Sequence, residues 1–237
     1  MLKNKKIKPC PPKLNFLVDY QKEFWFVKNK YRAAQKSIGR KRFDDIINFN
    51  IPKAHSNNYD LLIKNILQYL NNRQSVILRD LLKQKNIYQK KWRLFEKKFF
   101  SQMEAVTGLI WKNKAYNLYF LYSCFWGGDY DEGKNTIYIN PFLKQGDPLY
   151  VIFHELSHLL FWEYIYNNYS KKFINQNHFQ LWKLSEIMVN YPLLKLSINY
   201  QFPLIVPTNI KQGNSIIKKF PIMTFCDIIR QELKKAG

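Results

Sequence analysis

Residues 149–169 read LYVIFHELSHLLFWEYIYNNY, a run with no glycine and no proline. That length without a breaker predicts one long helix, Leu149–Tyr169. Val151, Ile152, Phe153, Leu156, Leu159, Leu160 and Phe161 leave it almost no polar face, so it belongs in a core. It is not a membrane span, because two His and two Glu interrupt it. Burying His154, Glu155 and His158 in such a helix is costly unless something compensates them.

Their spacing suggests what does. Residues four apart on a helix lie about 40° apart around the axis and about 6 Å along it. His154 and His158 can therefore reach one ion from the same face, and neutral imidazole is a good ligand for Zn2+. Glu155 stands close enough to touch a water on that ion without binding the ion itself. Such a water titrates near neutrality, and an adjacent carboxylate can take its proton. With 4 His in the chain, an HExxH pattern arises in roughly 0.2% of shuffled sequences of this composition. The apolar flanks then decide for a metal site over two coincidental core histidines.

A catalytic zinc takes three protein ligands and keeps one position open. Glu163 is five residues past His158, about 140° around the same helix, and points away as a surface or interface residue. Glu186 lies in LWKLSEIMV (residues 181–189), an otherwise apolar helical segment in which a lone carboxylate calls for a partner. A second helix packed on the first could aim it at the ion, and Glu186 is the expected third ligand. His178 is the rival. It stands in the polar run NQN, ahead of a helix expected from His178 to about Asn190. His55 falls in a loop and receives no role.

These residues resemble the zincin metallopeptidases, and among them the gluzincins, in which HExxH is followed on a second helix by a glutamate ligand. The resemblance spans roughly residues 105–195. It implies that His154, His158 and Glu186 hold Zn2+, that Glu155 is the catalytic carboxylate, and that a peptide or protein is the substrate. It also implies an edge strand along the cleft, a part assigned to TIYIN (residues 136–140). Ser185 precedes Glu186 where a thermolysin-type site has Asn, and no Met-turn or metzincin third His follows. Tyr191 and His178 are the candidates for stabilising the oxyanion. If His178 were the third ligand, the chain would look more like SprT-type zincins, which act on DNA-bound proteins. A third reading is a zincin-fold binding module without activity, whose basic half holds polyanions.

The rest of the chain is organised around that core. Residues 1–18 read as a basic flexible tail, 19–104 as a basic helical region, 105–195 as the metallopeptidase core and 196–237 as an extension with a final helix after Thr224. Helices are expected over 19–36, from Tyr59 to Asn71-Asn72, and through Val76–Met103 to a stop at Gly108, with a loop over Gly39–Asn58. YNLYFLYSCFW (116–126) and TIYIN are β-prone around a turn-rich GGDYDEGKN, which predicts an antiparallel hairpin. The fold class is therefore α+β, mostly helical, with a small antiparallel sheet beside the active-site helix.

The net charge of +21 is uneven, +18 in residues 1–115 and +3 in the rest. A basic half of this kind can hold nucleic acid or an anionic membrane surface. Lys outnumbers Arg 31 to 7, and nucleic-acid sites lean on Arg for bidentate contacts, so a nucleic-acid partner is the weaker expectation. Cys10, Cys124 and Cys226 are odd in number and far apart, as in reduced cytoplasmic proteins. The N-terminal MLKNKKIKPCPPK has no apolar h-region, so no secretory signal is expected.

Overall fold

A computed structural model describes residues 11–54, 56–142, 147–190, 192–193, 227 and 229–231. The chain is α+β. Strands β1 (Lys13–Leu17), β2 (Ala115–Phe120), β3 (Gly128–Asp131) and β4 (Thr136–Ile139) form one mixed sheet in the order β1-β2-β4-β3. β1 and β2 run parallel, as do β2 and β4, while β3 and β4 close an antiparallel hairpin. Gly133 turns that hairpin at φ 72°, a backbone region that costs glycine nothing.

The sheet has helices on both faces, which bury β4 on both sides while β1 stays exposed on one. One face presents Tyr119 and Tyr138 to helix α1 (Tyr20–Ile38), whose Trp25 and Phe26 rings meet Tyr138 at 5.8 and 5.2 Å. Helices α2 (Arg40–Asn50) and α3 (Tyr59–Asn72) pack on α1. The opposite face presents Phe16, Leu118, Phe120 and Ile139. It is covered by α4 (Gln74–Arg93), α5 (Glu96–Thr107) and α6 (Pro148–Asn168). Trp92 of α4, Phe99 of α5 and Phe153 of α6 meet there, with Phe99 and Phe153 ring centroids 4.7 Å apart. Helix α7 (Lys171–Met188) packs on α6.

The start of α6 is set locally. Asp147 caps it by accepting a hydrogen bond from the Leu149 amide at 2.9 Å, and Pro148 occupies the first helical position, where a missing N–H costs nothing. Asp147→Ala should therefore lower unfolding stability by about 1 kcal/mol in denaturant titration, with no change in slope. No helix among the described residues is long and apolar enough to cross a membrane.

Several expectations are corrected. Residues 13–17, placed in a flexible tail, are strand β1, because Leu14 and Phe16 alternate inward over the sheet's buried face. The Gly39–Asn58 loop contains α2 and a single 3-10 turn, Pro52–Ala54, with Phe43 and Ile47 one turn apart as the buried anchors. The boundary at 104/105 falls inside α5. The sheet is mixed rather than antiparallel: β2 and β4 run side by side in parallel, and the hairpin partner of β4 is β3, from the stretch read as turn-rich. TIYIN is thus an inner strand, and the edge belongs to β3. The helix after Thr224 and residues 194–226 fall mostly outside the described residues.

Candidate metal centre

His154 and His158 stand one turn apart on the face of α6 that looks toward α7 and β3. Their Nε2 atoms are 3.1 Å apart, and Glu186 of α7 brings Oε1 to 3.6 Å from His158 Nε2. Donor atoms of all three residues lie within 4.8 Å of one another. For ligand bonds of about 2.0–2.1 Å, the edge of a tetrahedron around zinc is roughly 3.3 Å. The His154–His158 and His158–Glu186 separations straddle that value, and the third pair lies within 4.8 Å. His154, His158 and Glu186 are therefore brought together as donors that fit a single zinc-sized ion.

The electrostatics fit a cation as well. Burial pushes His154 down to about 4, and burial together with the neighbouring His154 holds His158 well below the usual histidine range. Both imidazoles are thus neutral, the form that ligates. Their Nδ1 atoms are buried with no hydrogen-bond partner, so the ring nitrogens that meet other polar groups are the Nε2 atoms. Burial, with a smaller contribution from Asp129, raises Glu186 to about 7. Glu155 is only 6% exposed and is pushed well above the carboxylate range by burial, and further by Asp129 and Glu186. A divalent cation among these groups would reverse the penalty on both carboxylates.

The edge strand supplies two residues that sequence reasoning missed. Gly128 lies directly over Glu155: a Cβ built there would come 2.3 Å from Glu155 Oε1 and 2.6 Å from Val151 Cγ1. Only glycine leaves the carboxylate its place. The signal was the pair Gly127-Gly128, which reads as a turn when no second element is in view. Two residues on, Tyr130 stacks on His158 with centroids 4.5 Å apart and planes 15° apart. Its hydroxyl accepts from Trp162 Nε1 at 3.1 Å.

The opposite side of β3 is tied down by α1. Lys30 Nζ reaches Asp129 at 3.0 Å and Asp131 at 2.7 Å, and donates to the Tyr130 carbonyl at 2.7 Å. The loop leading into β3 is anchored by the fully buried Glu23, which accepts from the amides of Tyr122 and Ser123 at 2.5 and 2.9 Å. The basic helical region therefore holds in place the strand that borders the site.

His178 is placed elsewhere. It lies within α7 rather than ahead of a helix, stacks on Trp162 at 5.4 Å, and meets Glu132 Oε2 at 2.8 Å. Glu163 accepts from the Lys112 amide, Asn113 and the Tyr116 hydroxyl, and so points away from the site and ties α6 to the start of β2, as an interface residue. Tyr191 lies outside the described residues.

No known protein family, curated protein or solved structure matches the chain. The geometry alone must carry a functional reading.

Proposed function

We propose that the chain is a zinc-dependent peptidase of zincin type, hydrolysing peptide bonds in a peptide or protein substrate. The observation that carries this is the convergence of two neutral imidazoles and the Glu186 carboxylate, with the Glu155 carboxyl beside them and no ligand role left for it. A purely structural metal has no use for that extra acid.

His154, His158 and Glu186 would hold the ion. When bound, zinc supplies Lewis acidity, bringing water close to its ionisation point and polarising the scissile carbonyl. Glu155, next in sequence to His154, takes the proton released as water attacks and delivers it to the departing amine. Tyr130 and Trp162 hold the His158 ring in plane. The edge of β3 aligns the substrate. Asn140 donates to the Gly127 carbonyl, so the antiparallel alternation turns the amide and carbonyl of Gly128 and Tyr130 outward. Lys30 occupies the Tyr130 carbonyl, which leaves Gly128 as the residue able to pair through both groups with an extended peptide.

Elemental analysis of purified protein tests the ligand set. Wild type and His178→Ala should carry one zinc per chain, and Glu186→Ala should lose affinity by more than about 100-fold, the upper range for residues that only support a ligand. Zinc lost with His178→Ala, or absent from every form, would overturn the assignment. His178→Ala is otherwise expected to loosen only the contact between α7 and the β3–β4 turn.

A further inference from the structure

We propose that the solvent-facing side of α4 docks on an anionic membrane surface. This inference stands apart from the zinc site and does not depend on it.

Helix α4 buries Ile77, Leu81, Tyr88 and Trp92 against the core. Its other side should be polar throughout. Instead Val76, Leu82 and Ile87 are 38, 44 and 38% exposed, and the capping Leu94 77%. At 100° per residue Val76, Ile87 and Leu94 project within about 20° of one another, an interrupted apolar line down the outside of the helix, and Leu82 stands about 120° away from it. Arg79, Lys83 and Lys90 flank that line on one side within about 60° and are all exposed. Lys83 and Lys90 have no ion-pair partner among the described residues, and the sole acid beside the stripe, Asp80, is paired with Arg79 at 3.1 Å. An aliphatic line bordered by cations is the pattern of a helix lying in a lipid interface, with apolar tips inserted and ammonium groups at headgroup level.

Charge complementarity selects the occupant. The net +18 of residues 1–115 draws this half of the molecule toward a negative surface from a distance. A nucleic acid shares the charge but not the rest: Tyr88 and Trp92, the aromatic residues of α4, face the core and are closed to base stacking. Exposed Val, Ile and Leu gain from lipid and gain nothing from a phosphate backbone.

The test is vesicle sedimentation of the full chain at low ionic strength. Vesicles of phosphatidylcholine with about one quarter phosphatidylserine should pellet the protein, and pure phosphatidylcholine should not. Each basic side chain at such a surface is worth on the order of fivefold in binding, so Lys83→Gln/Lys90→Gln should weaken partition by about 25-fold. Leu94→Ser, at a position too exposed to matter for folding, should weaken it further by a few fold. About 0.5 M salt should release the protein. Glu155→Gln should bind vesicles as wild type does, so failure of the peptidase reading leaves this result intact. Equal binding to neutral vesicles, no binding to either, an unaffected double variant, or retention on DNA or RNA alone would each overturn the proposal.

Discussion

Glu155→Gln should keep its zinc and lose peptide hydrolysis by on the order of a thousandfold. The amide has the carboxyl's shape and fits under Gly128, so the ligands His154, His158 and Glu186 are not disturbed. What it loses is the capacity to accept and return a proton. The same substitution should raise the stability of the zinc-free protein at neutral pH. Glu155 is pushed well above the carboxylate range by burial, so above the unfolded value of 4.5 the unfolded chain binds fewer protons than the folded one. Wild-type zinc-free stability therefore falls as pH rises past that point, and the uncharged glutamine removes that component. Turnover equal to wild type, with zinc bound, would end the proton-transfer role.

Gly128→Ala should be nearly as damaging, although the residue has no side chain to take part in the reaction. The new methyl would sit 2.3 Å from Glu155 Oε1 and 2.8 Å from Glu155 Cδ, closer than real side chains approach. Either the carboxyl swings out of place or β3 moves off α6. Displacing a reacting group by about 1 Å can cost 10²-fold, and overpacking a filled site costs about 1–3 kcal/mol. Zinc should remain. In a Glu155→Gln background, Gly128→Ala should remove little further activity, because both act through the same carboxyl. Additive losses would show that the glycine serves β3 itself rather than Glu155.

The centre of the site was legible in the sequence because its logic is local. Two histidines one turn apart on an apolar helix announce a shared partner, and Glu186 was visible as the lone acid in LWKLSEIMV. Gly128 was not legible for the opposite reason: its meaning lies in the approach of another element, and Gly-Gly reads as a turn until α6 is beside it. Strand β1 was hidden for a similar reason. KLNFL is short, follows two prolines and a lysine-rich run, and acquires its pairing from residues far along the chain. Helix α2 was hidden by composition, since only Phe43 and Ile47 mark its buried face among charged and Asn-rich neighbours. TIYIN was rightly read as a strand but given the wrong seat, because strand order is a property of the whole sheet.

That distant pairing also governs how the protein is made. Asn15 meets Asn117 across 102 positions, and at about 5–20 residues per second the ribosome needs roughly 5–20 s to supply the partner. Until then β1 has no strand to lie against, and the two rows of the β1–β2 ladder cannot close before α1 to α5 have emerged between them. Parallel pairing over such a loop belongs to the slow class of folding events. The nascent chain thus carries an unpaired, alternating KLNFL segment for as long as the 102 positions to its partner take to be made. A holding chaperone, or early packing of Trp92 on Phe16, is what would shield that segment while it waits.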